Sequence, residues 1–156
     1  MDVKVRVHGI SHVMRELARA NKEEEIALRR GVHESAEFLM GKIKEKFGVY
    51  QPNGGSGGGP WKQLTFETNM KKLRKWGFTN KPLLGSGALR DSLYIKDTNG
   101  KSIMSSVASN SPYMVYHVYG APARNLPPRD AMLVSAEQYK DDCRKIILDN
   151  IYSAYR

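Results

Sequence analysis

Apolar and polar positions follow two different rhythms along this chain, and the rhythms divide it into elements. Val3, Val5 and Val7 alternate with Lys4, Arg6 and His8, which predicts a short strand with one buried face. Gly9 breaks that strand, and Ser11 is placed to cap a first helix running to about Ala20. From about Lys22 to Phe47 the period becomes helical. Leu28, Val32, Ala36 (with Ser35 beside it), Leu39, Ile43 and Phe47 recur at steps of three and four, a stripe most simply read as core. Glu23, Glu24 and Glu25 fall in its first turn, where carboxylates complement the positive end of the helix dipole, and Gly48 is a natural stop.

The second half changes rhythm again. Leu64, Met70, Leu73 and Trp76 predict a short basic helix capped near Thr65 or Thr68 and ended by Gly77. Leu93 and Ile95 alternate with Tyr94 and Lys96; Ile103, Ser105 and Val107 alternate with Met104, Ser106 and Ala108. Asp97, Thr98, Asn99 and Gly100 between the two runs supply turn chemistry, and Asn-Gly is a strong local hairpin signal. Pro112 opens a tyrosine-rich segment that closes at Gly120, and a loop from Ala121 to Arg129 follows. Val134 to Tyr155 predicts a last helix with Tyr139, Cys143, Ile146, Ile147, Asn150 and Ile151 near one face. Helices flanking a small antiparallel sheet make the fold class α+β, and 156 residues suit a single domain without internal repeats.

Between the long helix and the basic one lies Pro52, Asn53, Gly54, Gly55, Ser56, Gly57, Gly58, Gly59, Pro60. Such a run has little side chain to bury against its ordering entropy, which predicts a mobile loop. A phosphate-cradling loop needs a lysine and a hydroxyl directly after its glycines; Pro60 and Trp61 stand there instead. A flap that orders on assembly is the functional alternative to a plain spacer.

Charge narrows the partners. Lys plus Arg number 25 against 16 Asp plus Glu, a formal +9. That excess suits nucleic acid, an anionic surface or an acidic partner, and equally a well-solvated exterior. The densest patch is Lys71, Lys72, Arg74, Lys75 and Lys81, with Trp76 and Phe78 among them. Mixed basic and aromatic residues of this kind bind single strands or, more simply, pack a helix. No run approaches the roughly 18 apolar residues of a membrane span, and the start of the chain lacks a signal-peptide core. Cys143 has no second cysteine to pair with, which fits folding in a reducing cytosol.

Catalytic chemistry is thin. His8 and His12 straddle Gly9, His33 lies near the apolar stripe, and His117 sits among tyrosines. Gly85, Ser86 and Gly87 lack the spacing of a nucleophile elbow, and Cys143 has Asp141 and Asp142 beside it but no nearby histidine. The reading is therefore a non-enzyme without cofactor or metal.

Four blocks carry a family resemblance. Trp61, Lys62, Gln63 and Leu64 followed by Thr68 resemble the opening motif of phage virion-morphogenesis proteins. Leu84 through Leu93 is similar to their serine-or-threonine, glycine, x, leucine, arginine, x, serine motif. Tyr113 to Gly120 resembles their tyrosine-led segment, with His117 three residues before the glycine as in one branch. Leu126, Pro127, Pro128 and Arg129 resemble the proline-arginine turn before the last helix, although Asp130 and Ala131 stand where the family often has proline and phenylalanine.

The resemblance covers most of the chain from Trp61 onward. It implies a tail-completion or neck protein of long-tailed bacteriophages, which helps join tail to head. It also implies a homo-oligomeric ring, often six-fold, contacting the head–tail connector and the tail-tube or tail-terminator proteins, in the virion and in host cytoplasm during assembly. No membrane partner is implied.

Within that frame Tyr113, Tyr116, His117, Tyr119 and Arg129 are candidates for a subunit or partner surface. Residues Asn53 to Gly59 are a candidate assembly loop. Lys71, Lys72, Arg74 and Lys75 are candidate contacts to phosphates of genome DNA crossing the neck. The alternative class is a small basic nucleic-acid-binding protein.

Overall fold

The computed structural model describes residues 22–98 and 103–155. The strand over 3–7, the first helix, His8, His12 and the Asn99-Gly100 turn lie outside the described residues.

Helix α1 spans Lys22–Glu45 and buries the whole predicted stripe from Leu28 to Ile43, with Phe47 just past its end. The N–H groups of Lys46 and Phe47 donate to Ile43 and Lys44, three residues back, so the last turn tightens before the chain leaves. Gly48 then takes φ +89°, and its N–H donates to the Pro82 carbonyl at 2.7 Å.

The last helix, α5, spans Ala131–Ser153. It begins three residues before the expected Val134 because Asp130 is a true N-cap. Its carboxylate accepts from the N–H groups of Met132 and Leu133 at 3.0 and 2.9 Å.

Helices α1 and α5 run antiparallel, since Arg30 reaches Asn150 and Ser153, Cys143 reaches Ser35, and Lys46 reaches Gln138. Two apolar clusters lie along the pair. Leu28, Val32, Ile147 and Ile151 form the smaller one. The larger joins Leu39, Ile43 and Phe47 to Trp61, Leu93, Val107, Met114, Val118, Met132 and Cys143.

Strands β1 (Leu93–Asp97) and β2 (Ser105–Ser109) pair antiparallel, with Ile95 opposite Val107 and Asp97 opposite Ser105. Both lie against α1, which makes the fold α+β as expected. The Thr98 N–H donates to the Met104 carbonyl at 2.9 Å, one bond beyond the paired residues. The expected half-buried alternation fails in β2: Ser106, Val107, Ala108 and Ser109 are all buried. Side chains as small as serine and alanine let cover close over the second face as well.

Helix α2 spans Phe66–Trp76, with Thr65 accepting from the Thr68 N–H and Gly77 at φ +73° donating back to Leu73. Its ends match the sequence; its buried face does not. Leu73 and Trp76 are exposed, and Lys72 is buried in their stead. The Lys72 ammonium donates to the carbonyls of Lys81 (3.0 Å) and Leu84, and two carbonyls substitute for lost water.

Short helices α3 (Ala88–Asp91) and α4 (Met114–Tyr119) complete the body. No described helix is long and apolar enough to cross a membrane.

The glycine-rich segment is closed at its base, where the Trp61 N–H donates to Gln51. Its rim is bonded too: Gly55 donates to Gly59 at 2.8 Å, and the Gly54 carbonyl accepts from the Asp130 N–H at 2.9 Å. Ser56–Gly58 form one 3₁₀ turn whose tip, Gly57 and Gly58, stands clear of the body.

Candidate interaction surface

Helix α4 is positioned by its own two-sidedness. Met114 and Val118, four apart, enter the main core. Tyr113, Tyr116 and Tyr119, three apart, take the opposite side and are 62%, 36% and 67% exposed. The segment starts on a serine turn, with Ser111 accepting from the N–H groups of Tyr113 and Met114. It stops at Gly120, whose φ is +77°; a Cβ there would stand 3.0 Å from both the Leu126 carbonyl and the Pro128 ring. The loop beyond folds back through an Ala121–Leu126 bridge, and this brings the Arg124 guanidinium over the Tyr116 ring at 4.8 Å. The surface is a row of three phenols with a cation seated on the middle one. Arg124 was missed in the sequence because only the return of the loop brings it there.

Two of the five expected surface residues lie inside the subunit. Arg129 is only 4% exposed; its Nη2 donates to the Lys62 carbonyl at 2.8 Å and its N–H to the His117 carbonyl. His117 is half-buried, with Nδ1 turned inward and unpaired. The expected contact through Arg129 is thus corrected: the arginine ties the last loop to the segment after Trp61. A charged residue next to two prolines reads as exposed in sequence, and only the distant Lys62 carbonyl makes its burial possible.

The basic patch divides in the same way. Lys71, Arg74 and Lys75 are exposed, Lys71 in an ion pair with Glu67 at 2.6 Å that holds the Glu67 carboxyl below its ordinary value. Lys72 is 8% exposed with its ammonium on two carbonyls, so the expected phosphate contact there is corrected as well. Above it Trp76 and Phe78 stack at 6.3 Å with 16° between their planes. The ammonium of Lys75 lies 5.1 Å from the Trp76 ring and that of Lys81 5.3 Å from Phe78.

Electrostatics single out the interior, not the rim. Burial pushes the His117 imidazole down to about 4, and the charges of Arg129 and Lys72 push the same way. Burial and then Arg129 lower Lys72, while burial lowers Arg129. Burial raises the Asp130 carboxyl against the pull of its two cap N–H groups.

Beside the glycine loop, a cavity of about 470 Å³ opens between Pro52 and Asn53 on one side and Glu137 and Gln138 on the other. Among the described residues no cluster of His, Cys, Asp and Glu is arranged to hold a metal.

No protein-family model, curated protein or solved structure matches this chain.

Proposed function

We propose that this chain is a structural part of the neck of a long-tailed bacteriophage, a tail-completion protein that helps join tail to head. The motif resemblance from Trp61 to Arg129 supports the family. The observation that carries the assembly role is the row Tyr113, Tyr116 and Tyr119 on one exposed side of α4. Phenols bury much area at low entropy cost, and closed rings need one patch that binds a different patch on the neighbour. In this reading the tyrosine row is one such patch, assembling a homo-oligomeric ring against connector and tail-tube proteins.

Tyr116→Ala with Tyr119→Ala tests it. Truncating an aromatic anchor commonly costs about 2 kcal/mol, roughly thirtyfold in affinity. The double variant should keep its circular dichroism spectrum and its monomer stability. In infected cells relying on it, filled heads and tails should accumulate unjoined in electron micrographs of lysates. Normal virions from a folded variant would remove this surface from the proposal.

A second reading has its own observation. The Trp76–Phe78 stack flanked by Lys75 and Lys81 is the kind of platform on which nucleobases stack while lysines hold phosphates. A basic nucleic-acid-binding protein should bind single strands as a monomer, with affinity falling steeply in a salt series and with Trp76→Ala. A neck component should bind DNA only weakly at physiological ionic strength.

A further inference from the structure

The two ends of the α1–α5 pair differ in charge, and both expose apolar side chains. At one end α1 begins and α5 finishes, and the Tyr155 hydroxyl donates to the Glu24 carboxylate across the pair. Ile26, Tyr152 and Tyr155 are exposed there. Glu23 lies three residues before Ile26, and Asp149 three before Tyr152, so an exposed carboxylate shares a helix face with each of these two apolar neighbours. Of the cations at this end, Arg29 is paired with Glu25 and Arg30 is bonded to Asn150 and Ser153.

Helix α2 stands at the other end. The N–H of Gly48, just past α1, donates to the Pro82 carbonyl at 2.7 Å, and the Lys72 ammonium of α2 donates to the neighbouring carbonyls of Lys81 and Leu84. The 24 residues of α1 put about 35 Å between the two ends. Phe66 and Leu73, two turns apart on one flank of α2, are both exposed, Phe66 at 82%. No other described helix or strand packs along α2. Arg74 and Lys75 follow Leu73, exposed and outside every ion pair among the described residues.

We propose that copies of this chain associate end to end. The α2 face of one, with Phe66, Leu73, Arg74 and Lys75, docks on the α1–α5 end of the next, with Ile26, Tyr152, Glu23 and Asp149. Charge complementarity selects a second copy as the occupant, because the opposite sign lies at the opposite end of the same molecule. Apolar anchors leave water against one another while the cations and carboxylates around them set the orientation. Like ends repel, which disfavours a two-fold dimer through either end. A contact between two different patches is the kind that closes rings. This one shares no residue with the tyrosine row and does not depend on the neck reading.

Sedimentation velocity of the full chain, over a concentration series reaching about 1 mM, reads the association. Oligomers should grow with concentration and weaken as salt rises. Arg74→Glu with Lys75→Glu makes both ends acidic, and Glu23→Lys with Asp149→Lys makes both basic. Each of these variants alone should associate at least about tenfold more weakly. Mixed in equal amounts they should associate again, because each end then meets its opposite. Phe66→Ala with Leu73→Ala should also weaken association by about tenfold or more. These side chains are exposed, and circular dichroism checks that each variant stays folded. Should Glu23→Lys loosen the first turn of α1, Asp149→Lys alone takes its place in the mixture.

Recovery on mixing supports the contact. A chain that stays monomeric throughout overturns it, as do oligomers that neither reversal weakens or that mixing does not restore. Binding of a labelled single strand, or of anionic vesicles, by a chain that stays monomeric would give the α2 face to that partner instead. No arm uses virions, so the outcome is separate from that of the tyrosine variant in infected cells.

Discussion

Gly31 of α1 and Ile147 of α5 meet backbone to backbone: a Cβ on Gly31 would stand 3.0 Å from the Ile147 Cα and 3.2 Å from its carbonyl oxygen. Glycine is therefore the residue that sets the spacing of the two long helices. Gly41, ten residues on in the same helix, has open space where a Cβ would go. The two positions should answer substitution with opposite signs. Gly31→Val should destabilise the chain by about 2 kcal/mol or more, because a packed backbone has to yield. Gly41→Ala should stabilise it by up to about 1 kcal/mol through helix propensity. Urea denaturation of both variants checks this, and equal effects at the two sites would show that the helices do not approach as described.

Stability should fall in mild acid through His117. Its imidazole titrates near 4 in the fold and near 6.5 when unfolded, so between those values the unfolded chain binds the extra proton. Stability is then full above about pH 6.5, declines as the pH drops, and levels off below about 4, a loss on the order of 3 kcal/mol. The groups acting on it are Lys72 of α2 and Arg129 of the last loop, both cationic. Asp130 opposes this slope, since its raised carboxyl favours the fold at low pH. The comparison with His117→Gln isolates the histidine: stability measured from pH 7 to 4 should slope less in the variant. Parallel curves would mean that His117 titrates normally.

The long helices and their caps were legible because they are local. The stripe from Leu28 to Phe47, the Thr65 cap and the Gly77 stop each need only a few neighbouring residues to be recognised. Lys72 and Arg129 were not legible as interior residues, because what makes their burial tolerable is remote. The carbonyl of Leu84 lies 12 positions from Lys72, and that of Lys62 lies 67 from Arg129. The apolar period from Val134 does not show the α5 start; it is set by the two cap bonds of Asp130, four residues earlier. In the tyrosine segment the period of three was present in Tyr113, Tyr116 and Tyr119, yet which side faces the core was fixed only by Met114 and Val118.

Cys143 should be silent to thiol reagents in the native state. It is 1% exposed, its Sγ lies 3.7 Å from the Ser35 carbonyl of α1, and burial pushes the thiol up to about 11. Little thiolate exists near neutral pH, and the reagent has no path to it. Reaction with a chromogenic disulfide at pH 8 should be slower than for a free thiol by at least about a hundredfold, and should report one thiol per chain only in denaturant. Rapid native labelling would place Cys143 on the surface and separate α1 from α5 there.

The glycine loop should divide into a structural rim and a dispensable tip. At Gly54, φ is +75° and a Cβ would stand 2.4 Å from the Val134 side chain and 3.0 Å from the Asp130 carbonyl. Its own carbonyl receives the Asp130 N–H, so a shift here disturbs the start of α5. Gly54→Val should accordingly destabilise the fold by about 2 kcal/mol or more. Gly57 and Gly58 also have positive φ, but a Cβ added at either would meet nothing within 4 Å, and closing the loop over a slightly shorter tip changes its entropy little. Deleting that pair should leave thermal stability within about 0.5 kcal/mol. If the tip orders against a neighbouring subunit or connector, the same deletion should lower head-to-tail joining in a complementation assay while the monomer stays folded. Full infectivity from the deletion would reduce the tip to a spacer. A large loss of monomer stability would instead show that the tip, and not only the rim, is part of the fold.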